Sequence, residues 1–383
     1  MKKKYNILIV AGEASGDLHG GNLIAAIKEK HDISFFGIGG DHMSNQGVEI
    51  LYHMRDLAFL GFAEVVRHLP FISRVYRHLD REMKRRRPDM VLLIDYPGFN
   101  LRFAKKARQS GFPVFYYISP QVWAWGKNRI KKIAGYVSNM VVILPFEQKF
   151  YRNHGIKVKF LGHPLKDILS ADTQKGPFLE SLNLEPSRPV LGLFPGSREQ
   201  EVNKILPVML NTYEKLKNQI DGLQATIGLA PGLSDETIRR HIGREKKSLI
   251  VSRDRIYDMM KHCDLALVAS GTATLETALL GTPLIVLYRT SPVTYWMGRY
   301  LVKLKNISLV NIIAEKQIVP EFIQHRATAE NIVPEAVSLL KDRNKRVKMK
   351  SDLQEVSARL GSEGAVKRIA DAVLLSLQSG TKQ

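Results

Sequence analysis

Two acids stand where short apolar runs end: Glu13 after "NILIVAG" and Asp95 after "MVLLI". A carboxylate at the end of a buried strand suits proton abstraction from a hydroxyl when its pKa is raised. For Asp95 the competing role is a cap on the helix that follows. The stretch "VAGEASGDLHGGNLI", Val10–Ile24, has the strand, glycine turn and apolar helix of a nucleotide-binding loop. Such loops place phosphate on exposed helix amides. Glu13 and Asp17 would repel a pyrophosphate, so this loop is expected to face something uncharged, such as an acceptor sugar.

The second half of the chain has the opposite chemistry. "LGLFPGSREQE" puts Gly196 and Ser197 at a strand-to-helix turn, with Arg198 at the helix start. Amides plus a permanent guanidinium make a phosphate clamp, although a plain turn with a surface arginine fits the segment equally. "LALVASGTATLE" puts Ser270, Gly271 and Thr272 at a second helix start, and Glu276 one turn on can accept two ribose hydroxyls. A diphosphate on a helix N-terminus beside a ribose-binding acid is what a nucleotide-sugar site needs. A serine N-cap is the structural alternative. No GxxxxGK[ST] sequence supports ATP hydrolysis, and no DxD pair is present to hold a divalent ion on the diphosphate. "GDLHG", Gly16–Gly20, resembles the first metal motif of calcineurin-like phosphoesterases, with Asp17 and His19 as ligands. The GDxxD and GNH blocks that complete that two-metal site are missing. His163 in "GHP" is expected to be a loop or interdomain hydrogen-bonding residue.

The elements that position these residues follow from the apolar pattern. "NILIVAGE", "ISFFGIGG", "DMVLLIDYPG", "PVFYYISPQ", "MVVILPFE" and "VKFLGHP" read as six strands, most of them separated by helical stretches. After "SADTQKGPFLESLNLEPSRP" the alternation resumes with "VLGLFPGS", "QATIGLA", "SLIVS", "DLALVAS" and "PLIVLYR". Repeated strand–helix units imply an α/β chain of two doubly wound Rossmann-like domains, hinged near Gly162–Arg188. Ligands of such sheets bind beyond the carboxyl ends of the strands, so two such domains are expected to face one cleft.

At 383 residues the chain exceeds one ordinary core. With 44% hydrophobic and 25% charged residues it has an ordinary globular composition. The single cysteine, Cys263, excludes an internal disulfide framework and fits a reducing cytosol. No apolar run reaches the ~18–20 residues of a spanning helix. The net charge of +20 attracts polyanions: nucleic acid, anionic lipid or phosphorylated substrates. Basic clusters at Lys2–Lys4, Lys84–Arg87 and Lys345–Lys350 read either as solvated faces or as parts of such a surface. No nucleic-acid-binding module is present. The apolar, basic stretch Leu57–Arg87 suits an anionic lipid interface or a core helix with a basic outer face. The tryptophans of "SPQVWAWGKNRI" suit either a cleft floor or a core.

Taken together, "AGEASGD", "GIGG", "IDYPGFN", "SPQVWAW", "LPFE", "GHPL", "PGSREQE", "ASGTATLE" and "NIIAEKQIVPEFIQ" resemble the lipid-A-disaccharide synthases, GT-B glycosyltransferases of Gram-negative lipopolysaccharide assembly. The resemblance implies transfer of diacylglucosamine from its UDP derivative to diacylglucosamine 1-phosphate, with inversion. The expected products are a β-1,6 disaccharide and UDP, and neither a metal nor another cofactor is implied. It assigns catalysis to Asp95 and Glu13. UDP binding falls to Gly196, Ser197, Arg198, Ser270, Gly271, Thr272, Glu276 and Asn311, where "SLVN" departs from the usual SLPN or LAN. The acceptor side takes Ser15, Asp17, Gln121 and Trp123. Gly98 stands where some relatives carry a second acid.

The expected division is residues 1–165 for acceptor and membrane docking, residues 166–345 for the UDP-sugar, and residues 346–383 as helices crossing back. That tail would pack on the first domain or exchange with a second copy in a homodimer. The expected location is the cytoplasmic face of the inner membrane, peripherally bound. Two other readings remain from the residues alone. One is a different GT-B enzyme on UDP-N-acetylglucosamine, either a 2-epimerase or a peptidoglycan glycosyltransferase. The other is a basic membrane- or RNA-binding protein without catalysis.

Overall fold

The computed structural model describes residues 4–57, 68–120, 122–123, 130–169, 173–230, 233–242, 249–290 and 306–380. The chain divides into two compact units. The first comprises residues 1–167 together with 360–383, and the second comprises residues 168–359.

The first unit is built on a seven-stranded sheet, all of whose pairings are parallel. Its strands are β1 (Tyr5–Ala11), β2 (Ile33–Gly39), β3 (Glu49–His53), β4 (Met90–Ile94), β5 (Val114–Tyr117), β6 (Asn139–Val142) and β7 (Lys159–Phe160), in the spatial order β3-β2-β1-β4-β5-β6-β7. Helices cover both faces, which is why the central strands read as unbroken apolar runs. In β1, Ile7 and Ile9 enter one core layer and Leu8 and Val10 the other.

The second unit carries a six-stranded parallel sheet. Its strands are β8 (Val190–Phe194), β9 (Gln224–Gly228), β10 (Ile250–Ser252), β11 (Leu265–Ala269), β12 (Leu284–Tyr288) and β13 (Glu321–Ile323), in the order β10-β9-β8-β11-β12-β13. Strand order reverses between β1 and β4 in the first sheet and between β8 and β11 in the second. Those reversals are where doubly wound sheets open a crevice at their carboxyl ends. Strands β3 and β13 were not expected from the sequence. Both lie at sheet edges with no fully buried residue, so neither carries the apolar run that marks a strand covered on both faces.

The return of the chain to the first unit falls later than position 346. The helix Arg343–Arg359 belongs to the second unit, where Met349, Leu353 and Val356 are buried against the helices Thr272–Leu279, Leu309–Ala314 and Ala329–Lys341. Arg359 fastens its end by donating Nη1 to the Ile313 carbonyl at 2.8 Å. Only residues from Leu360 onward join the first unit, and the helix Ala365–Gly380 packs on the helix Ala14–Lys28 of the same chain. Asp167 anchors its start, accepting the amides of Gly364 at 2.6 Å and Val366 at 2.7 Å. Ile369, Ala370 and Val373 are buried there in the core layer that holds Ile7 and Ile9.

Among the described residues no helix is long and apolar enough to cross a membrane. Of the Leu57–Arg87 stretch, residues 58–67 lie outside the described ones. The helix Leu69–Arg86 turns Val75, Leu79 and Met83 inward. Its basic end is partly neutralised, because Arg85 and Arg86 both pair with Glu82 and Arg86 also reaches Glu49.

Candidate active site

In the first unit the ends of β1 and β4 lie side by side, Ala11 opposite Ile94, so Glu13 and Asp95 emerge as neighbours. Glu13 is the N-cap residue of the helix Ala14–Lys28. Asp95 and Tyr96 both adopt left-handed backbone, at φ 45° and 47°. This conformation costs non-glycine residues of the order of 1–3 kcal/mol each and persists only where the surroundings enforce it. Here they do. The Asp95 carbonyl accepts the Asn100 side-chain amide at 2.8 Å and the Tyr116 hydroxyl at 2.6 Å, and its own amide donates to the Tyr117 carbonyl. Gly12 completes the fit, since a Cβ there would fall 2.3 Å from the Tyr96 ring. The helix Pro97–Gln109 has Tyr96 as its N-cap residue, so Asp95 is not the cap.

Burial pushes the Asp95 carboxyl up to about 7, with repulsion from Glu13 adding to it. Buried Glu147 lies close enough to contribute a smaller push. A carboxylate poised near neutrality beside a second acid is suited to taking a proton from an alcohol.

The residues assigned to the acceptor side separate here. Ser15 is half-buried in the first turn of the helix Ala14–Lys28. Trp123 is also half-buried, its indole nitrogen donating to Glu147 at 3.0 Å. Gln121 lies outside the described residues. Asp17 turns inward: it is fully buried, and its carboxylate accepts the amides of Gly40 at 2.7 Å, His42 at 3.0 Å and Met43 at 3.1 Å. It thus caps the helix Asp41–Asn45, with its oxygens engaged by backbone rather than by sugar or metal. His19 of the same motif is buried too, its pKa lowered to about 4 by burial, and the same cause takes His163 to about 3.

In the second unit β8 and β11 are paired, so the turns that follow them are adjacent, with Gly196 facing Ala269. Gly196 sits at φ 113°, and a Cβ there would strike Glu201 Oε2 at 2.7 Å. Ser197 and Arg198 are exposed, and Arg198 is the N-cap residue of the helix Glu199–Lys217. Its guanidinium lies 3.4 Å from Glu201. The neighbouring helix, Thr272–Leu279, has Gly271 rather than Ser270 as its N-cap. Ser270 continues the sheet by donating its amide to Leu287. Nothing lies within 4 Å of where a Gly271 Cβ would be, and Thr272 is exposed, so the first amides of the helix stand open. One turn inward, burial pushes Glu276 up to about 7, and burial together with Glu276 pushes Tyr257 to about 12.

Asn311 does not join this group as a free ligand. It is fully buried; its amide nitrogen donates to Val319 and Glu321, and its oxygen accepts from Ile318 and Val319. All four hydrogen-bonding positions of an asparagine side chain are thereby filled. Its role is to hold the turn before β13.

Asn100, Tyr116 and Glu147 are the contributors that sequence reasoning missed. Asn100 and Glu147 sit inside the quoted "IDYPGFN" and "LPFE", where a polar residue bordering apolar ones was the available signal.

Residues 7–374 match the family model described as "Lipid-A-disaccharide synthetase". The chain is 44% identical over 369 residues to the lipid-A-disaccharide synthase of Geobacter metallireducens, covering 96% of each chain. It is 37% identical over 369 residues to that of Coxiella burnetii, covering 96% of this chain and 97% of the other. Among solved structures, the UDP-GlcNAc 2-epimerase of Neisseria meningitidis bound to UDP-GlcNAc superposes with a TM-score of 0.68 at 14% identity, covering 97% and 100% of the two chains. The calicheamicin glycosyltransferase CalG4 does so with a TM-score of 0.64 at 15% identity, covering 98% and 99%. Those two likenesses establish the GT-B fold and nothing finer. The sequence relationship is the closer one, and it distinguishes between enzymes that share this fold. The chain belongs to the lipid-A-disaccharide synthase family of glycosyltransferases.

Proposed function

We propose that the protein transfers 2,3-diacylglucosamine from UDP-2,3-diacylglucosamine to 2,3-diacylglucosamine 1-phosphate. Family membership along nearly the whole chain is the observation that carries this reading. Asp95, with Glu13 beside it, takes the proton from the acceptor's primary hydroxyl. The freed oxygen forms a bond to the anomeric carbon from the face opposite UDP. The bond from that carbon to the diphosphate oxygen breaks, UDP leaves with the electron pair, and the configuration inverts. Arg198 and the open amides at Gly271–Thr272 meet the departing charge, as preorganised donors do for a developing anion. Glu276 anchors the ribose.

The acylated substrates and the net charge of +20 support a peripheral position on the cytoplasmic face of the inner membrane, with the basic helix Leu69–Arg86 towards anionic lipid. Incubation with both acylated glucosamine substrates tests the reaction. Mass spectrometry should find the disaccharide 1-phosphate together with UDP. Failure to form it, with interconversion of UDP-N-acetylglucosamine in its place, would establish an epimerase instead.

A further inference from the structure

The helix Pro145–Arg152 carries a buried carboxylate for which the reaction has no direct use. Glu147 is its third residue and is 1% exposed. One oxygen, Oε2, accepts the Leu144 amide at 3.0 Å, closing the start of the helix. Capping needs no more than that oxygen, and capping acids ordinarily stay in water. The other oxygen, Oε1, accepts the Ser119 hydroxyl at 2.9 Å and the Trp123 indole N–H at 3.0 Å. Two further contacts follow the same line. Tyr151 donates its hydroxyl to the Pro120 carbonyl at 3.0 Å, and the Phe146 ring meets Trp123 edge to face at 4.9 Å between centroids. Ser119, Pro120 and Trp123 are therefore held by three side chains of one helix.

The place of this segment matters. It leaves the sheet after β5, the neighbour of β4, and Tyr117 at the end of β5 accepts the Asp95 amide. The clamped segment thus starts next to Asp95.

We infer that Glu147 is a positioning residue that acts through Trp123, fixing Ser119, Pro120 and Trp123 as a wall against which the acceptor sugar is held for Asp95. This rests on assigning the acceptor to the Asp95 strand end. Glu147 holds the wall through the hydrogen bonds it accepts from Ser119 and Trp123, so releasing them has a measurable consequence in the acceptor's kinetics.

The experiment compares the wild type with Glu147→Gln, Trp123→Phe and the double variant, measuring acceptor kcat/KM, UDP affinity and tryptophan emission. Glutamine keeps the shape and one acceptor oxygen but loses the charge. Each single variant should lower kcat/KM for the acceptor by at least about tenfold, with UDP affinity within about twofold of the wild type. The double variant should be no worse than the poorer single one, since both remove the same clamp. Glu147→Gln should also shift tryptophan emission, and the shift should vanish in the Trp123→Phe background. Should Glu147→Gln fold poorly, Ser119→Ala removes one donor to the same oxygen and should lower acceptor kcat/KM in the same direction. A Glu147→Gln protein with reduced stability but wild-type acceptor kinetics would reduce Glu147 to a helix cap. Multiplicative losses in the double variant would overturn its action through Trp123. A wild-type protein that forms no disaccharide would remove the acceptor assignment itself, and with it the whole proposal.

Discussion

The two sheets reverse strand order at corresponding places, yet the chemistry gathered there is opposite. At β1 and β4 the turns carry two half-buried acids, and two consecutive non-glycine residues hold left-handed backbone. At β8 and β11 the turns carry Gly196 and Gly271, exposed amides and an exposed arginine. The difference suits what the proposed reaction asks of each. A base has to be desolvated so that its pKa rises towards the working pH. A cradle for a diphosphate has to leave its donors open, because the ligand itself supplies the negative charge. On the proposed mechanism one topology serves both halves of a displacement, and the residue types at four strand ends decide which half.

The sharpest way to break this comparison is at Asp95. Asp95→Asn should lower turnover by about 10²–10⁴-fold while leaving UDP affinity unchanged, as isothermal titration with UDP would show. The wild-type rate should fall as pH drops through about 7, because burial leaves Asp95 protonated below that value and the base form is the active one. An acid limb near 4 instead would place the working base in water. Wild-type turnover in the variant would remove Asp95 from the chemistry altogether.

A smaller effect is expected from the other reversal. Arg198→Ala should weaken UDP binding by about 10–100-fold, the range of one charge-assisted contact to phosphate. Arg198→Lys should recover only part of it, since an ammonium cannot present the paired donors of a guanidinium. Unchanged UDP affinity in both variants would move the diphosphate away from the β8 turn.

How much of this could be read from the sequence depended on whether the cause was local. Central strands covered on both faces announce themselves through runs such as "MVLLI" and "LALVA". The edge strands β3 and β13 do not, because their partial exposure removes that run. Strand-end acids are visible for the same reason that the strands are. What stayed hidden was the set of partners supplied from far along the chain. Asp17 looks like a site acid until Gly40–Met43 are folded over it, and Asn311 looks like a ligand until Ile318, Val319 and Glu321 fill its amide. The pattern shows Met349, Leu353 and Val356 as an apolar face without showing which core receives it. Glu147 depends on Ser119 and Trp123, residues whose approach no local spacing encodes.

The smallest expected effect is on stability, and it separates the two regions by sign. Asp95 is held near 7 in the folded chain, against 3.8 for an ordinary aspartate. Below the ordinary value it is protonated in both states and costs nothing. As pH rises through the interval the unfolded chain releases its proton first, so stability is lost progressively and the loss levels off above about 7. At about 1.4 kcal/mol per pKa unit, the full interval bounds the loss at about 4 kcal/mol, and the partial exposure of Asp95 keeps the loss below that bound. Asp95→Asn removes that loss, so it should unfold a few degrees above the wild type at pH 8. The gap should narrow at pH 5, in thermal melts followed by circular dichroism. Arg198→Ala, on an exposed side chain, should melt with the wild type at both values. A gap independent of pH would mean that Asp95 titrates as a solvated acid, and the contrast between a desolvated base and an open cradle would fail at its first term.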